Sequence, residues 1–182
     1  MSSSTTVTVP LTVQKQENSE WCWAAVTVSV DLFFRPTSTH TQCDVAGGVL
    51  RRVCCSGGKL SKSDPCNVPH ALHTVLGRFH LLADDPIRKP LTFLQVKREI
   101  DAGRPVCVLV KWRNNDGSVS DRGHFIAIKG YRVATDGKQF LSITDPFYRP
   151  SEINYEDFSS KDAGYRNGRG VWFATFLVDD KA

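Results

Sequence analysis

Residues 16–34, QENSEWCWAAVTVSVDLFF, decide how this chain is expected to fold. The apolar run over 21–34 predicts a buried helix, because its length, its Ala-Ala pair and its aromatic spacing favour helix over strand. The helix should end at Arg35, since a residue before proline is pushed out of helical geometry. Cys22 stands in the first turn, where the positive end of the helix dipole favours the thiolate. Cys22 is therefore a candidate nucleophile, and the alternative is a structural thiol in a tryptophan-rich core.

A polar segment leads into this helix. Asn18 or Ser19 is the expected N-cap, because either side chain can accept a hydrogen bond from the first helical N–H groups. Gln16 lies six residues before Cys22 and could place an amide N–H beside the sulfur. A donor at that position would supply half of an oxyanion hole.

The composition is that of a folded globular protein, with 182 residues, 41% hydrophobic and 10% aromatic. The net charge of +4 is mild, and the lysines and arginines are scattered without a recognisable nucleic-acid-binding module. No apolar run approaches the length that spans a bilayer. We therefore expect no nucleic-acid partner and no membrane partner, and no feature of the sequence indicates an oligomeric state. The first ten residues lack the charged and apolar regions of a secretory signal.

The secondary-structure pattern changes near residue 104. Three further helices are expected before it, over 39–53, 69–77 and 92–102. Apolar runs after it predict strands over 105–112, 124–131, 140–144 and 170–178. The chain is therefore predicted to be one α+β domain over 1–182, in which an N-terminal helical lobe (about 14–103) packs against a C-terminal antiparallel sheet (about 104–178).

The six cysteines divide unevenly along the chain. Two stand alone, Cys22 and Cys107, and four crowd together, Cys43, Cys54, Cys55 and Cys66. The crowded four indicate two disulfides with three possible pairings, in which the adjacent cysteines pair outward rather than with each other. A zinc site is the rival interpretation, although the usual C-x2-C spacing is absent, and four reduced thiols are the third. Disulfides favour an exported protein.

His124 and Asp145 are the candidate partners of Cys22. His124 opens a predicted strand, and the strand that returns after the hairpin ends at Asp145. In an antiparallel pair the start of one strand lies beside the end of its partner, so the two side chains should meet although they are 21 residues apart. Alternatively, His124 is a core histidine and Asp145 begins a turn with the proline that follows it.

These motifs together resemble the papain-like cysteine proteases. The resemblance rests on Gln16 six residues before Cys22, Trp23 directly after it, Gly123-His124 opening an apolar strand and Asp145-Pro146 closing the next. Within that group, the WCWAA motif, the cysteine cluster over 43–66 and the segment 100–106 (IDAGRPV) look closest to effector cysteine proteases of plant-associated bacteria. The leader-cleaving peptidases of bacteriocin exporters are a more distant likeness. Two features depart from the plant members of the papain-like proteases. Residues 19–21 (SEW) stand where those enzymes have Cys-Gly-Ser before the nucleophile, and Asp145 stands where they have asparagine.

The resemblance implies a papain-like fold with the active-site cleft between helices and sheet. It also implies a cysteine endopeptidase with a catalytic triad of Cys22, His124 and Asp145, a thioester intermediate and Gln16 in the oxyanion hole. No cofactor and no metal is implied, and the expected partner is a protein or peptide substrate. A cysteine-dependent acyltransferase or deamidase on the same fold is the alternative, and a catalytically silent binding module is another.

Three further expectations concern the surroundings of the site. Phe147 is placed to shield the His124–Asp145 contact from water, with core packing as the alternative. The loop over 114–122 should form the rim of the substrate cleft. The effector resemblance and the cysteine cluster together indicate a secreted protein, delivered into a host or neighbouring cell by a dedicated secretion system, with a cytoplasmic location as the alternative.

Overall fold

The computed structural model describes residues 4–55, 61–160 and 164–180. Its helices are α1 (Cys22–Phe34), α2 (Gln42–Leu50), α3 (Leu72–Arg78), α4 (Phe93–Asp101), α5 (Tyr155–Ser159) and α6 (Tyr165–Gly168). Its strands are β1 (Thr5–Thr8), β2 (Val106–Arg113), β3 (Val119–Val133), β4 (Gln139–Thr144), β5 (Ser151–Asn154) and β6 (Gly170–Leu177). The predicted α+β order is confirmed, with helices α1 to α4 before β2.

The strands form one antiparallel sheet in the order β5-β4-β3-β2-β6, and β1 also pairs with β3. Helix α1 is buried along its length from Cys22 to Asp31 and packs against α2, α3 and β3. An apolar helix buried on every side is expected where it is enclosed between other helices and a sheet. This packing fixes the first turn of α1 against the face of the sheet.

The start of α1 differs from the prediction. The N-cap is Trp21, without a side-chain cap, rather than Asn18 or Ser19. The reason is a separate turn ahead of the helix, in which the N–H of Trp21 donates to the carbonyl oxygen of Asn18 at 3.1 Å. The Ser19 hydroxyl forms a hydrogen bond with the Asn67 side chain, so it does not cap the helix.

Other element boundaries also differ from the prediction. Helix α2 spans Gln42–Leu50 rather than 39–53, because the side chain of Thr41 caps its start and Arg51 ends it in the left-handed conformation. Helix α3 begins at Leu72 rather than near Pro69. The segment before it stays non-helical, because the carbonyl oxygen of Val68 accepts a hydrogen bond from Trp23 Nε1 at 3.0 Å. Strand β3 begins at Val119 rather than at His124. The first residues of β3 are polar and mostly exposed, so they gave no apolar strand pattern.

Candidate active site

Cys22 is the first residue of helix α1, and its side chain is largely buried. The N–H groups in the first turn of a helix have no carbonyl partner within the helix. Trp21 contributes no side-chain hydrogen bond to them. The first turn therefore presents a thiol, backbone N–H donors and the positive end of the helix dipole together.

His124 and Asp145 meet because of the register of three strands. His124 lies within β3 and is paired with Val110 of β2. Pairing between β3 and β4 begins only at Ala127 opposite Thr144, so the chain before Ala127 lies beside the chain after Thr144. Asp145 directly follows Thr144, and its Oδ1 lies 2.8 Å from His124 Nε2. The predicted meeting of the two side chains is present, although His124 sits inside a strand rather than at its start.

The imidazole of His124 is held in its charged form. Burial lowers the pKa of His124, but hydrogen bonds to Asp145 and to Cys22 outweigh burial and raise that pKa to about 9. Because Nε2 faces Asp145, Nδ1 is the ring nitrogen left for the sulfur. An imidazolium between a carboxylate and a sulfur is the arrangement that sustains a thiolate–imidazolium pair.

Both carboxylate oxygens of Asp145 are used. Oδ1 accepts the backbone N–H groups of Phe147 at 2.7 Å and Tyr148 at 2.8 Å in addition to His124 Nε2. Burial raises the pKa of Asp145, yet the hydrogen bond from His124 and the two backbone donors hold it below its usual value. The carboxylate is therefore ionised and fixed in one orientation toward the imidazole.

Tyr165 is a residue of the site that the sequence did not indicate. Its hydroxyl donates to Asp145 Oδ2 at 2.8 Å, and its side chain is buried. Burial and the neighbouring carboxylate of Asp145 raise the pKa of Tyr165, so the hydroxyl stays a donor. No pattern marked Tyr165, because it opens the four-residue helix α6, which is too short to show helical periodicity.

Aromatic rings cover His124, and Phe147 is not among them. The ring of Trp112 stacks on His124 with centroids 6.4 Å apart, and Tyr148 meets His124 edge-on at 6.1 Å. Phe147 is 60% exposed and packs against Tyr148 instead. The expectation that Phe147 shields the His124–Asp145 contact is therefore wrong, since Trp112 and Tyr148 contact the imidazole ring.

Gln16 lies at the cleft together with His124. Its amide Nε2 donates to the carbonyl oxygens of Asn18 at 2.8 Å and Ser19 at 2.7 Å. Its Oε1 is buried without a hydrogen-bond partner. Exchanging the amide nitrogen and oxygen would place Oε1 against two carbonyl oxygens, so the observed orientation is the favourable one. In this orientation the amide donors of Gln16 hold the turn that presents Cys22.

The backbone of Gln16 ties this turn to the sheet. Its N–H donates to the carbonyl oxygen of Pro146 at 2.8 Å, one residue beyond Asp145. Gln42 of α2 holds the neighbouring backbone, because its Oε1 accepts from Glu17 N–H at 3.0 Å and its Nε2 donates to the Lys15 carbonyl at 2.9 Å. The segment before the thiol is thus fixed by both halves of the molecule.

The cysteine cluster supports the other side of the same turn. The disulfides join Cys43 to Cys55 and Cys54 to Cys66, so the adjacent cysteines pair outward as predicted. The carbonyl oxygen of Cys66 accepts from Trp21 Nε1 at 2.7 Å. The next residue, Asn67, accepts from the backbone N–H of Glu20 at 3.0 Å through Oδ1. The cluster therefore positions the residues directly before the nucleophile.

An open cleft passes the His124 and Cys22 side chains. Its larger part has a volume of about 670 Å³ and is lined by Gln16, Asn67, Trp112 and His124 among others. A smaller part of about 270 Å³ is lined by Cys22, Trp23, Leu109 and Phe125 among others. Gly123, Asp121, Glu20 and Pro69 line both parts. Asp121 and Arg122 belong to the segment that was predicted to form the rim, and both line the cleft.

One further cysteine and two further histidines, Cys107, His70 and His73, have structural surroundings. Burial raises the pKa of Cys107 to about 12, so its thiol is neutral. His70 packs against Trp23 at 5.4 Å and His73 stacks on Phe176 at 6.4 Å. Within the residues that the structure describes, no group of three or more His, Cys, Asp or Glu side chains could hold a metal ion.

Comparison with known proteins places the chain in a family. The model of the Peptidase_C39 like family matches residues 6–172, which is most of the chain, and the chain belongs to this family. The cysteine-peptidase class and the papain-like fold agree with that membership. The match gives no support to the narrower resemblance to bacterial effector proteases. A comparison with curated proteins found no match. In the described part of the chain, no helix is long and apolar enough to cross a bilayer.

Proposed function

We propose that the chain is a cysteine endopeptidase that hydrolyses peptide bonds of protein substrates. The observation that carries the proposal is the arrangement at the head of α1, where Cys22 faces an imidazole that Asp145 holds at 2.8 Å. Membership of the Peptidase_C39 like family supports the same class of reaction. A cleft that runs past both the thiol and the imidazole suits an extended polypeptide.

In the proposed mechanism, the Cys22 thiolate attacks the carbonyl carbon of the scissile bond. The carbonyl π electrons move to oxygen, and the tetrahedral oxyanion forms beside the first turn of α1. His124 then gives its Nδ1 proton to the leaving amine, and the C–N bond breaks to leave a thioester. Water next attacks the thioester while His124 takes a proton from it, and the carboxylic acid product leaves as the thiolate re-forms.

The oxyanion donors are the backbone N–H of Cys22 and the side chain of Gln16. The Cys22 N–H has no partner within its helix, so it is free to bind the oxyanion. The Gln16 amide donates to two neutral carbonyl oxygens. A charged oxyanion is a stronger acceptor than either carbonyl, so one amide hydrogen can shift toward it as charge develops. One such donor lowers the barrier by about 3 kcal/mol in a related hydrolase.

We also propose that the protein is exported. The support is the pair of disulfides at Cys43–Cys55 and Cys54–Cys66. Disulfides persist mainly in oxidising compartments outside the cytosol. Delivery into another cell as an effector would be consistent with export.

A peptide-library digest followed by mass spectrometry tests the proposed function. Wild type should cleave a subset of peptides, and Cys22→Ala should lower the rate by at least about 10⁴-fold, because it removes the nucleophile. Cys107→Ala is the matched control, since that thiol is buried and lines neither part of the cleft, so its loss should leave cleavage unchanged.

Two outcomes would contradict the proposal. Ammonia release from glutamine-containing proteins that depends on Cys22, without any peptide cleavage, would indicate a deamidase or acyltransferase. Binding of peptides with neither cleavage nor ammonia release would indicate a catalytically silent module.

A further inference from the structure

Three arginines converge on a second pocket beside the cleft. Arg113 ends β2, and Arg166 and Arg169 come from α6 and the residue after it. With Trp112 and Tyr148 they line a pocket of about 500 Å³. Three guanidinium groups in one concave site repel one another unless an anion lies among them.

Three guanidinium nitrogens in this pocket lack a hydrogen-bond partner among the described residues. They are Nε and Nη2 of Arg113 and Nε of Arg166, and all three are buried. Elsewhere, Arg35, Arg104 and Arg132 each contact a carboxylate. Over 4–55, 61–160 and 164–180, by contrast, no ion pair involves any of the three pocket arginines. Buried donors of a charged group are costly to leave unpaired, so their arrangement indicates an acceptor that binds from outside.

The arginine side chains are held in place by their surroundings. The guanidinium of Arg166 lies over the rings of Tyr148 at 4.5 Å and Tyr165 at 4.9 Å, and its Nη2 donates to the Arg149 carbonyl oxygen at 2.8 Å. The backbone N–H of Arg113 donates to the carbonyl oxygen of Arg169 at 2.8 Å, which joins the two walls of the pocket. A fixed guanidinium loses little freedom when it binds a planar anion.

The pocket adjoins the proposed catalytic residues. Trp112 and Tyr148 line both the pocket and the cleft, and the same two rings contact His124 at 6.4 and 6.1 Å. An extended chain advances about 3.3 Å per residue, so a group beyond these rings is roughly two to three residues from the scissile bond. A polypeptide in the cleft can therefore reach the pocket with a nearby side chain or with its C-terminus.

We propose that this pocket is an anion subsite of the peptidase, which takes a carboxylate of the substrate two to three residues from the bond that is cut. The inference rests on the proposed peptidase function and narrows its substrates to peptides that carry such a carboxylate. A carboxylate matches the planar donor fork of arginine with two parallel hydrogen bonds. Its source is either an Asp or Glu side chain or the C-terminus of the peptide.

Matched peptides test the subsite. Starting from a peptide that wild type cleaves, one series places Glu or Gln at each position within four residues of the scissile bond, with an amidated C-terminus. A second series keeps Gln throughout and compares free with amidated C-termini at each length. A carboxylate at one position should raise kcat/KM by about 10- to 100-fold, the effect of a hydrogen bond to a charged group. The series that shows the gain identifies the source of the carboxylate.

Arginine variants connect that preference to the pocket. Arg113→Gln and Arg166→Gln should each reduce the preference for the carboxylate peptide to below about threefold while cleavage of the uncharged peptide persists. Arg169→Gln should reduce the preference in the same way, and because Arg169 is exposed its replacement should leave the fold intact. Arg78→Gln removes one positive charge from exposed helix surface outside the pocket and should keep the full preference.

Peptide binding to the Cys22→Ala protein gives a second readout that does not need catalysis. The carboxylate peptide should bind about tenfold or more tightly than its uncharged counterpart, and added Arg113→Gln or Arg169→Gln should remove the difference. Cleavage without a carboxylate preference, or a preference unchanged in all three pocket variants, would overturn the subsite and leave the peptidase proposal intact. Binding that prefers the carboxylate in a protein that cleaves no peptide would support the subsite and contradict the peptidase.

Discussion

Within the residues that the structure describes, two histidine–aspartate pairs have almost equal length, and one lies near each end of helix α1. At the N-terminal end, His124 Nε2 lies 2.8 Å from Asp145. At the C-terminal end, His40 Nδ1 lies 2.9 Å from Asp31, which is itself in α1. Both aspartates are buried, so neither the distance nor the burial of the aspartate separates the pairs.

The two carboxylates differ in what balances their charge. Asp31 contacts the guanidinium of Arg35 at 3.3 Å and also accepts from Ser38 and His40. Among the described residues, the only cation that contacts Asp145 is His124, and its other donors are two backbone N–H groups and the Tyr165 hydroxyl. A buried carboxylate without another cation favours the charged form of its histidine. Asp145 therefore needs the imidazolium, whereas Asp31 already has Arg35.

The two histidines also differ in their surroundings. The side chain of His40 is 50% exposed and meets Phe79 edge-on. The side chain of His124 is 10% exposed, lies between Trp112 and Tyr148 and faces Cys22. A histidine–aspartate contact is therefore not a catalytic signature in itself. What separates the pairs is the thiol, the cleft and the lack of a competing cation.

The largest expected effect comes from replacing each histidine with alanine. His124→Ala should lower kcat/KM for peptide cleavage by at least about 10³-fold, because it removes the proposed base and acid. His40→Ala should leave kcat/KM within about twofold and lower the free energy of unfolding by less than about 1 kcal/mol, since its ring is half exposed. Steady-state kinetics and urea unfolding measure both. Similar kinetic losses in the two variants would mean that the pairs are not functionally distinct.

Replacing each aspartate with asparagine separates catalysis from stability. Asp145→Asn should lower kcat by about 10² to 10⁴-fold with the fold retained, because asparagine cannot hold the imidazolium. Asp31→Asn should leave the kcat of the folded protein unchanged and lower the free energy of unfolding by about 1–3 kcal/mol, since Arg35, Ser38 and His40 lose a buried charged acceptor. Arg35 keeps its contact with Asp180 at 2.6 Å, which limits that loss. A fall in kcat for Asp31→Asn would contradict the comparison.

The raised pKa of His124 predicts how activity and stability depend on pH. The value of about 9 exceeds the ordinary value of 6.5, so the imidazolium is stabilised in the folded protein. Its stabilising contribution is complete below pH 6.5 and is lost as the pH rises through about 9. Activity should fall about tenfold per pH unit above that value, as the proton for the leaving amine is lost.

The Asp145→Asn variant is the control for this pH dependence. The carboxylate of Asp145 is a principal cause of the raised pKa of His124, so its removal should move the alkaline limb to lower pH. NMR titration of His124 in wild type and variant measures the shift directly. An alkaline limb at the same pH in both proteins would assign it to another group.

The sequence was sufficient to predict the site residues that regular helices and strands bring together. Cys22 could be placed by the helix that begins at it. His124 and Asp145 could be brought together by antiparallel pairing of two strands and a hairpin, because β-sheet geometry links their positions across 21 residues. The helix predicted over 92–102 is confirmed as α4, and its start could be predicted because Thr92 and Gln95 form a capping box whose two partners are three residues apart.

The residues that the sequence did not indicate make contacts that no local pattern encodes. Tyr165 reaches Asp145 from a four-residue helix that is too short to show periodicity. Trp112 stacks on His124 across neighbouring strands, and the sequence showed only its apolar character. The partners of the Gln16 amide are backbone carbonyl oxygens, which no residue pattern encodes. The misassigned N-cap has the same origin, because a turn held by distant Asn67 takes the place of a local cap.

The smallest expected effect comes from removing the side-chain hydroxyl group that donates a hydrogen bond to each aspartate. Tyr165→Phe removes the donor to Asp145 Oδ2, and Ser38→Ala removes a donor to Asp31 Oδ2. Each should lower the free energy of unfolding by about 1 kcal/mol, the usual net contribution of a hydrogen bond. Tyr165→Phe alone should also lower kcat by about tenfold with KM unchanged, because Asp145 can then turn relative to His124 while the substrate cleft is intact. Equal kcat in the two variants would mean that the backbone N–H groups of Phe147 and Tyr148 are sufficient to orient Asp145.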